Sequence, residues 1–308
     1  MTSGNLSIGN KGISFIGFGE AASAIVAGWR AGDSHTVRAY DIKTDDADEA
    51  TVRAKQADYV AVGITGTASM AEAIEGAGVI FSTVTADQAQ VAAENAAQHI
   101  APQALFLDCN SCAPGTKQKS AALIDAAGGR YVDVAVMAPV YPALHKTPML
   151  ISGPHTEAAL ALAVELDMVA SAAVGDVGTA SSIKMIRSIM VKGIEALVLE
   201  SVLAARKAGV EDVVLASLDK TYPGFNWTTR AGYMMERVTT HGVRRAAEMR
   251  EVALTVEALG LSDAMSQATV SWQQRVGDLA IVAGEDQDYK QRADIILAHL
   301  NATPLKTQ

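Results

Sequence analysis

The chain has 308 residues and a formal net charge of −9; 49% of its residues are hydrophobic and 19% are charged. This composition excludes an intrinsically disordered chain, and two cysteines exclude a disulfide scaffold. The acidic balance argues against nucleic acid as a partner, because such binding needs clustered basic residues. At roughly 100–200 residues per domain, the length predicts two domains.

The sequence also lacks the patterns of targeting to a membrane or a secretory route. No apolar run reaches the roughly 18 residues that a membrane span needs. The first twelve residues are polar and do not form a signal peptide. We therefore expect a cytoplasmic protein with no membrane partner.

The first half of the chain alternates between two kinds of periodicity. Helices are predicted at 21–31, 70–75 and 86–99, between short apolar segments that read as strands. Alternation of this length indicates βαβ crossovers and a parallel sheet. The predicted strands are 13–16, 36–40, 59–64, 79–84, 104–107, 131–136 and 149–152.

Helical periodicity takes over after Gly178. Glycines at 242 and 277 weaken the prediction of unbroken helices in this half. We therefore predict an α/β Rossmann domain at 8–177, with a mostly parallel sheet and helices on both faces, followed by an all-α domain at 178–308. The predicted helices of the second domain are 181–208, 213–220, 231–259, 262–282 and 289–300.

A glycine-rich turn follows the first predicted strand and opens the first predicted helix. It fits G-x-G-x-x-A and contains Gly17, Phe18, Gly19, Glu20, Ala21 and Ala22. The first glycine allows a tight turn, the second lets a pyrophosphate approach the backbone, and the alanine lets the helix pack on the sheet. Free N–H groups at the helix N-terminus then bind the phosphates. This context predicts a dinucleotide site.

Asp41 lies 22 residues after Gly19, just beyond the second predicted strand. A carboxylate at this place accepts hydrogen bonds from the adenosine ribose and repels a 2′-phosphate. The expected cofactor is therefore NAD. NADP stays open as the second choice, because Arg38 and Lys43 are close in sequence.

With these residues in hand, the chain resembles the β-hydroxyacid dehydrogenase superfamily, which includes 3-hydroxyisobutyrate, tartronate semialdehyde and 6-phosphogluconate dehydrogenases. The resemblance spans nearly the whole chain and rests, beyond the turn with Trp29-Arg30-Ala31-Gly32, on further segments. These are Thr83-Val84-Thr85, Asp108-Cys109-Asn110-Ser111-Cys112-Ala113-Pro114, Asp133-Val134-Ala135-Val136-Met137-Ala138-Pro139, Gly178-Thr179-Ala180-Ser181-Ser182-Ile183-Lys184 and Gly284-Glu285-Asp286-Gln287-Asp288.

The resemblance assigns roles to these segments. It implies that Thr83, Val84 and Thr85 line the cofactor pocket and that the segment after Asp108 lies near the nicotinamide. It implies cofactor contact for Ser111, substrate contact for Asn110, Ser111 and Met137, and a catalytic role for Lys184. It also implies a homodimer or higher homo-oligomer formed through the helical domain.

The sequence departs from the family pattern at the substrate segments. Met137-Ala138-Pro139 replaces a serine and glycines that hold the substrate carboxylate, and Ser188 stands where an asparagine usually contacts substrate. The runs 222–227 and 241–250 resemble a branch whose helical domain has no assigned function. The resemblance therefore supports the fold and the hydride chemistry better than the usual substrates.

Lys184, Ser188 and Lys192 are spaced by four residues, so they share one side of a predicted helix. A lysine on a mostly apolar helix either reaches solvent or faces a site. The preceding Gly178 and the resemblance favour a site for Lys184, as general acid and base, with Ser188 in a catalytic and substrate-binding role. Spacing alone supports Lys192 as a substrate contact.

His241, Arg244, Arg245 and Glu248 share a helix face. Two interpretations stay open. The face is either a solvated surface with an Arg244–Glu248 ion pair or a site where His241 and Arg245 bind an anionic substrate.

Cys109 and Cys112 form a C-x-x-C sequence without a second pair and without histidines at zinc spacing. We therefore expect no metal site and discount a redox role. The function that these observations predict is hydride transfer between NAD and a small anionic 3-hydroxy acid. Imine reduction and a NAD-binding sensor without turnover are the alternatives.

Overall fold

The structure is a computed structural model that describes residues 12–29, 36–282, 284 and 287–302. The chain forms two compact units, Met1–Met185 and Ile186–Gln308. The predicted domain boundary at Gly178 stays a prediction. Among the described residues, no helix is long and apolar enough to cross a membrane.

The first unit is built on one eight-stranded sheet. Its order is β3-β2-β1-β4-β5-β6-β7-β8, and all neighbouring pairs are parallel except β6 with β7. The mostly parallel sheet is therefore confirmed. The strands are β1 (Ile13–Ile16), β2 (Val37–Tyr40), β3 (Thr65–Gly66), β4 (Val79–Ser82), β5 (Leu105–Asp108), β6 (Arg130–Val136), β7 (Met149–Ser152) and β8 (Ala170–Ala172).

Helices cover both faces of this sheet, and each face has its own apolar core. Alternate residues of β1 illustrate the division: Phe15 belongs to one core and Ile16 to the other. Two-sided burial explains why the central strands β1, β4 and β5 are mostly apolar and fully buried. The helices of this unit are α1 (Glu20–Trp29), α2 (Glu49–Val62), α3 (Met70–Ile74), α4 (Ala89–Ala97), α5 (Pro114–Ala126) and α6 (Thr156–Glu165).

The strand predicted at 59–64 is wrong, because most of this segment is the end of α2. The Asp48 side chain accepts hydrogen bonds from the backbone N–H groups of Ala50 and Thr51 and so starts the helix, and Gly63 ends it with a φ of 71°. The apolar run instead supplies the buried Tyr59, whose ring lies 5.2 Å from that of Phe18. The sequence also gave no expectation of α5, α6 or β8. Residues 30 and 31 of the predicted first helix lie outside the described residues.

The second unit is helical, as predicted. The long helix α7 (Thr179–Ala208) begins in the first unit and continues into the second. Buried side chains of α7, α8, α9, α10 and α11 form one apolar core. The predicted helix 262–282 stops at residue 277. The remaining bounds are α8 (Glu211–Thr221), α9 (Trp227–Ala258), α10 (Ala264–Gly277) and α11 (Tyr289–Ala302).

The glycines at 242 and 277 mark the crossing of α9 and α10. A Cβ atom at Gly242 would lie 2.4 Å from the carbonyl oxygen of Gln273 and 2.8 Å from Cα of Gly277. Both obstacles are backbone atoms, so the helices must separate to admit a side chain. The glycines therefore permit close packing, and α9 runs through Gly242 without a break.

We predict that Gly242→Ala lowers the free energy of unfolding by about 1–3 kcal/mol, because it overpacks this crossing. Gly232→Ala is the matched control in the same helix. Its Cβ would come no closer than 3.7 Å to the backbone of Tyr289. This substitution should therefore raise the free energy of unfolding by about 0.5–1 kcal/mol, because alanine favours the helix over glycine. Urea unfolding followed by circular dichroism measures both. Equal stabilities would contradict the packing argument.

Candidate functional site

The glycine-rich turn connects β1 to α1 at the carboxyl edge of the sheet. Gly17 has a φ of 79°, and an added Cβ there would lie 2.8 Å from Cγ1 of Val84. At Gly19, an added Cβ would meet no described heavy atom within 4 Å, so this backbone borders open space. The first N–H groups of α1, which begins at Glu20, lack partners inside the helix. The turn, with Phe18, Glu20 and Ala21, therefore fits a dinucleotide pyrophosphate.

Asp41 stands directly after β2 and is 9% exposed. Its Oδ2 accepts a hydrogen bond from the backbone N–H of Phe18 at 2.7 Å, and its Oδ1 accepts one from the backbone N–H of Lys43 at 3.0 Å. The carboxylate thus joins the end of β2 to the turn. Because each carboxylate oxygen accepts more than one hydrogen bond, the predicted contact with a ribose hydroxyl is compatible with this arrangement and stays a prediction.

Thr83, Val84 and Thr85 follow β4, the parallel neighbour of β1. The Thr83 hydroxyl donates to the carbonyl oxygen of Gly17 at 2.6 Å, and Thr85 precedes a short 3-10 helix. The carboxyl ends of parallel neighbours lie at the same edge, so these predicted cofactor residues border the turn.

Lys184 and Ser111 are 73 positions apart in the sequence and meet in the structure. The Nζ atom of Lys184, near the start of α7, donates to Oγ of Ser111 at 2.5 Å. Ser111 lies in the loop after β5, and both side chains are half-buried. An amine held against a hydroxyl at the edge that carries the dinucleotide turn can accept and return a proton. The structure therefore brings together two residues that the sequence singled out.

Behind this contact lies a buried charge cluster that the sequence analysis did not identify. The Nζ atom of Lys117, a residue of α5, lies 2.9 Å from Oδ1 of Asp108 and 3.6 Å from Oδ1 of Asp133. All three side chains are 0% exposed. Burial acts to lower the pKa of Lys117, but the two carboxylates raise it above its ordinary value. Lys117 is therefore a cation at neutral pH.

The same cluster holds the segment that leads to Ser111. The Asn110 amide donates to Oδ1 of Asp108 at 2.7 Å and to the Ser82 hydroxyl at 2.9 Å. Tyr131 donates from its hydroxyl to Oδ2 of Asp108 at 2.6 Å. Asn110 is only 3% exposed, and its own Oδ1 is buried with no partner among the described residues. Its place is beneath the site, and its predicted substrate contact stays a prediction.

One signal in the sequence points to this cluster. Asp108 and Asp133 are aligned partners on the adjacent strands β5 and β6. Two buried carboxylates in register repel each other, so a buried cation must accompany them. The need for this cation can be recognised only when the register of β5 and β6 is known, and the sequence pattern does not determine that register.

Other predicted residues of the first unit have apolar or structural surroundings. Met137 follows β6 and packs on a small apolar cluster that includes Ala180. Cys109 and Cys112 are buried thiols that are not in a disulfide, and burial raises the pKa of Cys109 to about 12. A thiol with this pKa is not a nucleophile at neutral pH.

In the second unit, the predicted substrate residues form ion pairs. Lys192 is 6% exposed, and its Nζ lies 2.8 Å from Oε2 of Glu248 and 3.4 Å from the Ser188 hydroxyl. Arg244 contacts the other Glu248 oxygen at 2.8 Å. Burial lowers the pKa of Lys192, although Glu248 acts to raise it.

Arg245 is buried as well, and it pairs with Glu195 of α7. The alternative of a salt-bridged helix face is therefore present for Arg244, while the partner of Arg245 comes from another helix. His241 is half-buried one turn before Arg245. Substrate binding by Ser188, Lys192, His241 and Arg245 stays a prediction. Residues 285 and 286, in the predicted element near the C-terminus, and residues 30–32, beside the turn, lie outside the described residues.

Comparison with known protein families assigns a family to each part of the chain. Residues 12–178 match the NAD binding domain of 6-phosphogluconate dehydrogenase, and residues 205–276 match a domain of unknown function, DUF1932. The first match contains the turn, the threonines after β4 and Ser111. The cofactor of this chain is therefore NAD(P).

Comparison with individual proteins agrees with these matches. A conserved hypothetical protein from Sinorhizobium meliloti 1021 is 34% identical, with a TM-score of 0.73 over 96% of this chain and 98% of the other. An uncharacterised 28.5 kDa protein of Methanothermus fervidus is 26% identical over 64% of this chain and 74% of its own. The 3-hydroxyisobutyrate dehydrogenase of Mycobacterium tuberculosis, solved with L-serine, has the same fold at 16% identity, with a TM-score of 0.69 over 93% of this chain and 99% of the other.

Proposed function

The chain belongs to the β-hydroxyacid dehydrogenase superfamily, with the NAD-binding domain of 6-phosphogluconate dehydrogenase, and we propose on this premise that it is an NAD(P)-dependent dehydrogenase. The reaction is hydride transfer between the nicotinamide and a small 3-hydroxy acid. The contact between Lys184 Nζ and Ser111 Oγ, at 2.5 Å, carries the proposal, because it puts a proton-transfer group at the edge of the sheet where the cofactor turn lies.

The chemistry divides between cofactor and protein. The bound cofactor supplies the hydride acceptor, or the donor in the reverse direction. Lys184 takes the hydroxyl proton as the alcohol is oxidised and returns it as the oxo acid is reduced. Ser111 orients the lysine and shares the hydrogen bond to the substrate oxygen. An amine that accepts a proton suits an alcohol substrate better than imine reduction, which needs an acid at the nitrogen.

The resemblance and the charged residues of the second unit support the proposal that the substrate is an acid. We propose that Ser188 and Lys192 contact the substrate beyond Lys184 along α7, with His241 and Arg245 as further contacts.

The proposed assembly is a homodimer or higher homo-oligomer formed through the helical unit. Sedimentation analysis of the purified protein tests it.

The direct test is NAD(P)H formation from a panel of acids. The panel contains 3-hydroxyisobutyrate, 6-phosphogluconate and L-serine, together with acetate and isobutyrate as controls that lack a hydroxyl group. We expect turnover of at least one 3-hydroxy acid and none of the controls. Thermal stabilisation by NAD(H) without turnover of any hydroxy acid would contradict the proposal and favour a sensor.

The proposed preference for NAD over NADP rests on Asp41. We predict that Asp41→Asn lowers the ratio of kcat/KM for NAD to that for NADP by about tenfold or more, because it removes the charge that repels a 2′-phosphate. Arg38, which donates to the carbonyl of Glu75, is occupied elsewhere. Asp46→Asn, at an exposed carboxylate nearby, is the control and should leave the ratio unchanged. A wild-type preference for NADP would show the NAD assignment to be wrong.

A further inference from the structure

The N-terminus of α7 is capped by side chains that come from the sheet. Oδ2 of Asp133, on β6, accepts hydrogen bonds from the backbone N–H groups of Gly178 at 3.0 Å and Ser181 at 3.2 Å. Oγ of Ser152, on β7, accepts one from Ala180 at 3.0 Å. Ser152 also donates its own hydroxyl proton to Asp133 at 2.9 Å. Two adjacent strands thus hold the first turn of the helix.

This arrangement differs from the usual helix start. A cap is ordinarily the side chain of the residue just before the helix. Here that residue is Gly178, which has no side chain and has a φ of 104°. The carboxylate that replaces the local cap is 0% exposed and faces the positive end of the helix dipole. The position of α7 is therefore set by β6 and β7 rather than by its own sequence.

The capped turn leads directly to the proposed catalytic lysine. Lys184 lies in the sixth position of α7, within two helical turns of the residues that Asp133 and Ser152 hold. Its partner Ser111 lies three residues after Asp108, which is the aligned partner of Asp133 on β5. Both ends of the Lys184–Ser111 contact are therefore anchored on a pair of neighbouring strands.

We propose that Asp133, with Ser152, is a positioning residue that holds Lys184 against Ser111 by capping α7. The inference deepens the proposed dehydrogenase function and rests on it for its catalytic meaning. Asp133 itself does not act on the substrate. It is needed because the N–H groups of the first turn have no partners inside the helix. Without the cap this turn frays, and Lys184, one turn further along, is no longer held at a fixed distance from the serine hydroxyl.

The test needs no substrate and uses the intact protein. Lysines are acetylated at low conversion with acetic anhydride, and each lysine is measured by peptide mass spectrometry. Lys184 is compared with Lys207, which is exposed in the same helix, and with Lys55, whose side chain is 7% exposed in α2 and reports unfolding of the unit. We expect Asp133→Ala, which removes the acceptor, to raise the labelling of Lys184 relative to Lys207 about fivefold, the effect of losing one cap, with Lys55 unchanged.

Two serine variants make the test independent of the folding of Asp133→Ala. Ser152→Ala removes one cap acceptor and should raise the Lys184 ratio in the same direction by a smaller factor. Ser120→Ala, at a buried serine whose hydroxyl has no partner among the described residues, is the control for the loss of a core hydroxyl and should leave the ratio unchanged. An unchanged ratio in Ser152→Ala, an equal rise in Ser120→Ala, or a parallel rise of Lys55 would overturn the proposal.

Kinetics separates this inference from the proposed function. With a 3-hydroxy acid that the wild-type protein oxidises, Ser152→Ala should lower kcat and leave the KM for NAD unchanged, because the cofactor turn does not depend on the cap. A rise in the KM for NAD with kcat unchanged would overturn the positioning role. If the wild-type protein oxidises no acid in the panel, the dehydrogenase proposal fails, and the labelling result still decides whether Asp133 holds Lys184.

Discussion

Replacing Lys184 with methionine should lower kcat by about a hundredfold to ten-thousandfold, the usual contribution of a positioned general acid or base. Methionine preserves most of the side-chain volume but cannot take the hydroxyl proton. The dinucleotide turn at Gly17 and Gly19 belongs to β1 and α1, so the affinity for NAD should stay within about twofold of the wild type. Steady-state kinetics and calorimetric titration with NAD measure the two quantities.

Lys207→Met is the matched control for this variant. Lys207 is exposed near the end of the same helix, and its replacement removes one positive charge of the same type. Its kcat should equal that of the wild type. If Lys184→Met retained more than a tenth of the wild-type kcat, proton transfer would have to be assigned to another group. A loss of NAD affinity equal to the loss of kcat would instead make Lys184 a cofactor contact.

Replacing Lys117 with methionine should lower the free energy of unfolding by about 3–5 kcal/mol, because it leaves buried carboxylates without their cation. The ammonium group donates to both the carbonyl oxygen and Oδ1 of Asp108, at 2.6 and 2.9 Å, and faces Asp133 at 3.6 Å. None of these groups reaches solvent. Urea unfolding of the variant, followed by circular dichroism and by the fluorescence of Trp29, which packs against Phe15 and Phe81 in the first unit, measures the change.

Lys119→Met tests whether the loss is specific to the buried charge. Lys119 lies two residues further along α5 and is exposed, so its replacement should change stability by less than about 0.5 kcal/mol. Neutralising the partners should recover part of the loss: the triple variant with Asp108→Asn and Asp133→Asn should be more stable than Lys117→Met alone. If Lys117→Met were as stable as Lys119→Met, the buried charge cluster would not contribute to the stability of the first unit.

The geometry of the glycine-rich turn could be predicted because its signals are local in the sequence. The turn requires a glycine with positive φ at position 17, a residue without a side chain at position 19 and a carboxylate at the end of the next strand, at position 41. Each requirement specifies one residue type at one spacing. The strand predicted at 59–64 was wrong because the signal in that segment is ambiguous. A short apolar run does not distinguish a buried strand from the buried side of a helix, and the deciding signal was the cap at Asp48.

The sequence by itself determined the class of the fold, the position of the cofactor turn and the lysine for the proposed chemistry. Periodicity and turn residues act over a few positions, and they can be read along the chain. The tertiary structure alone decided that Lys184 meets Ser111, that Lys117 lies between Asp108 and Asp133, and that α7 is capped from the sheet. Each of these depends on which residues of distant segments lie side by side. The alignment of β5 with β6 is the clearest case. Their register puts Asp108 beside Asp133, and two buried carboxylates need a buried cation.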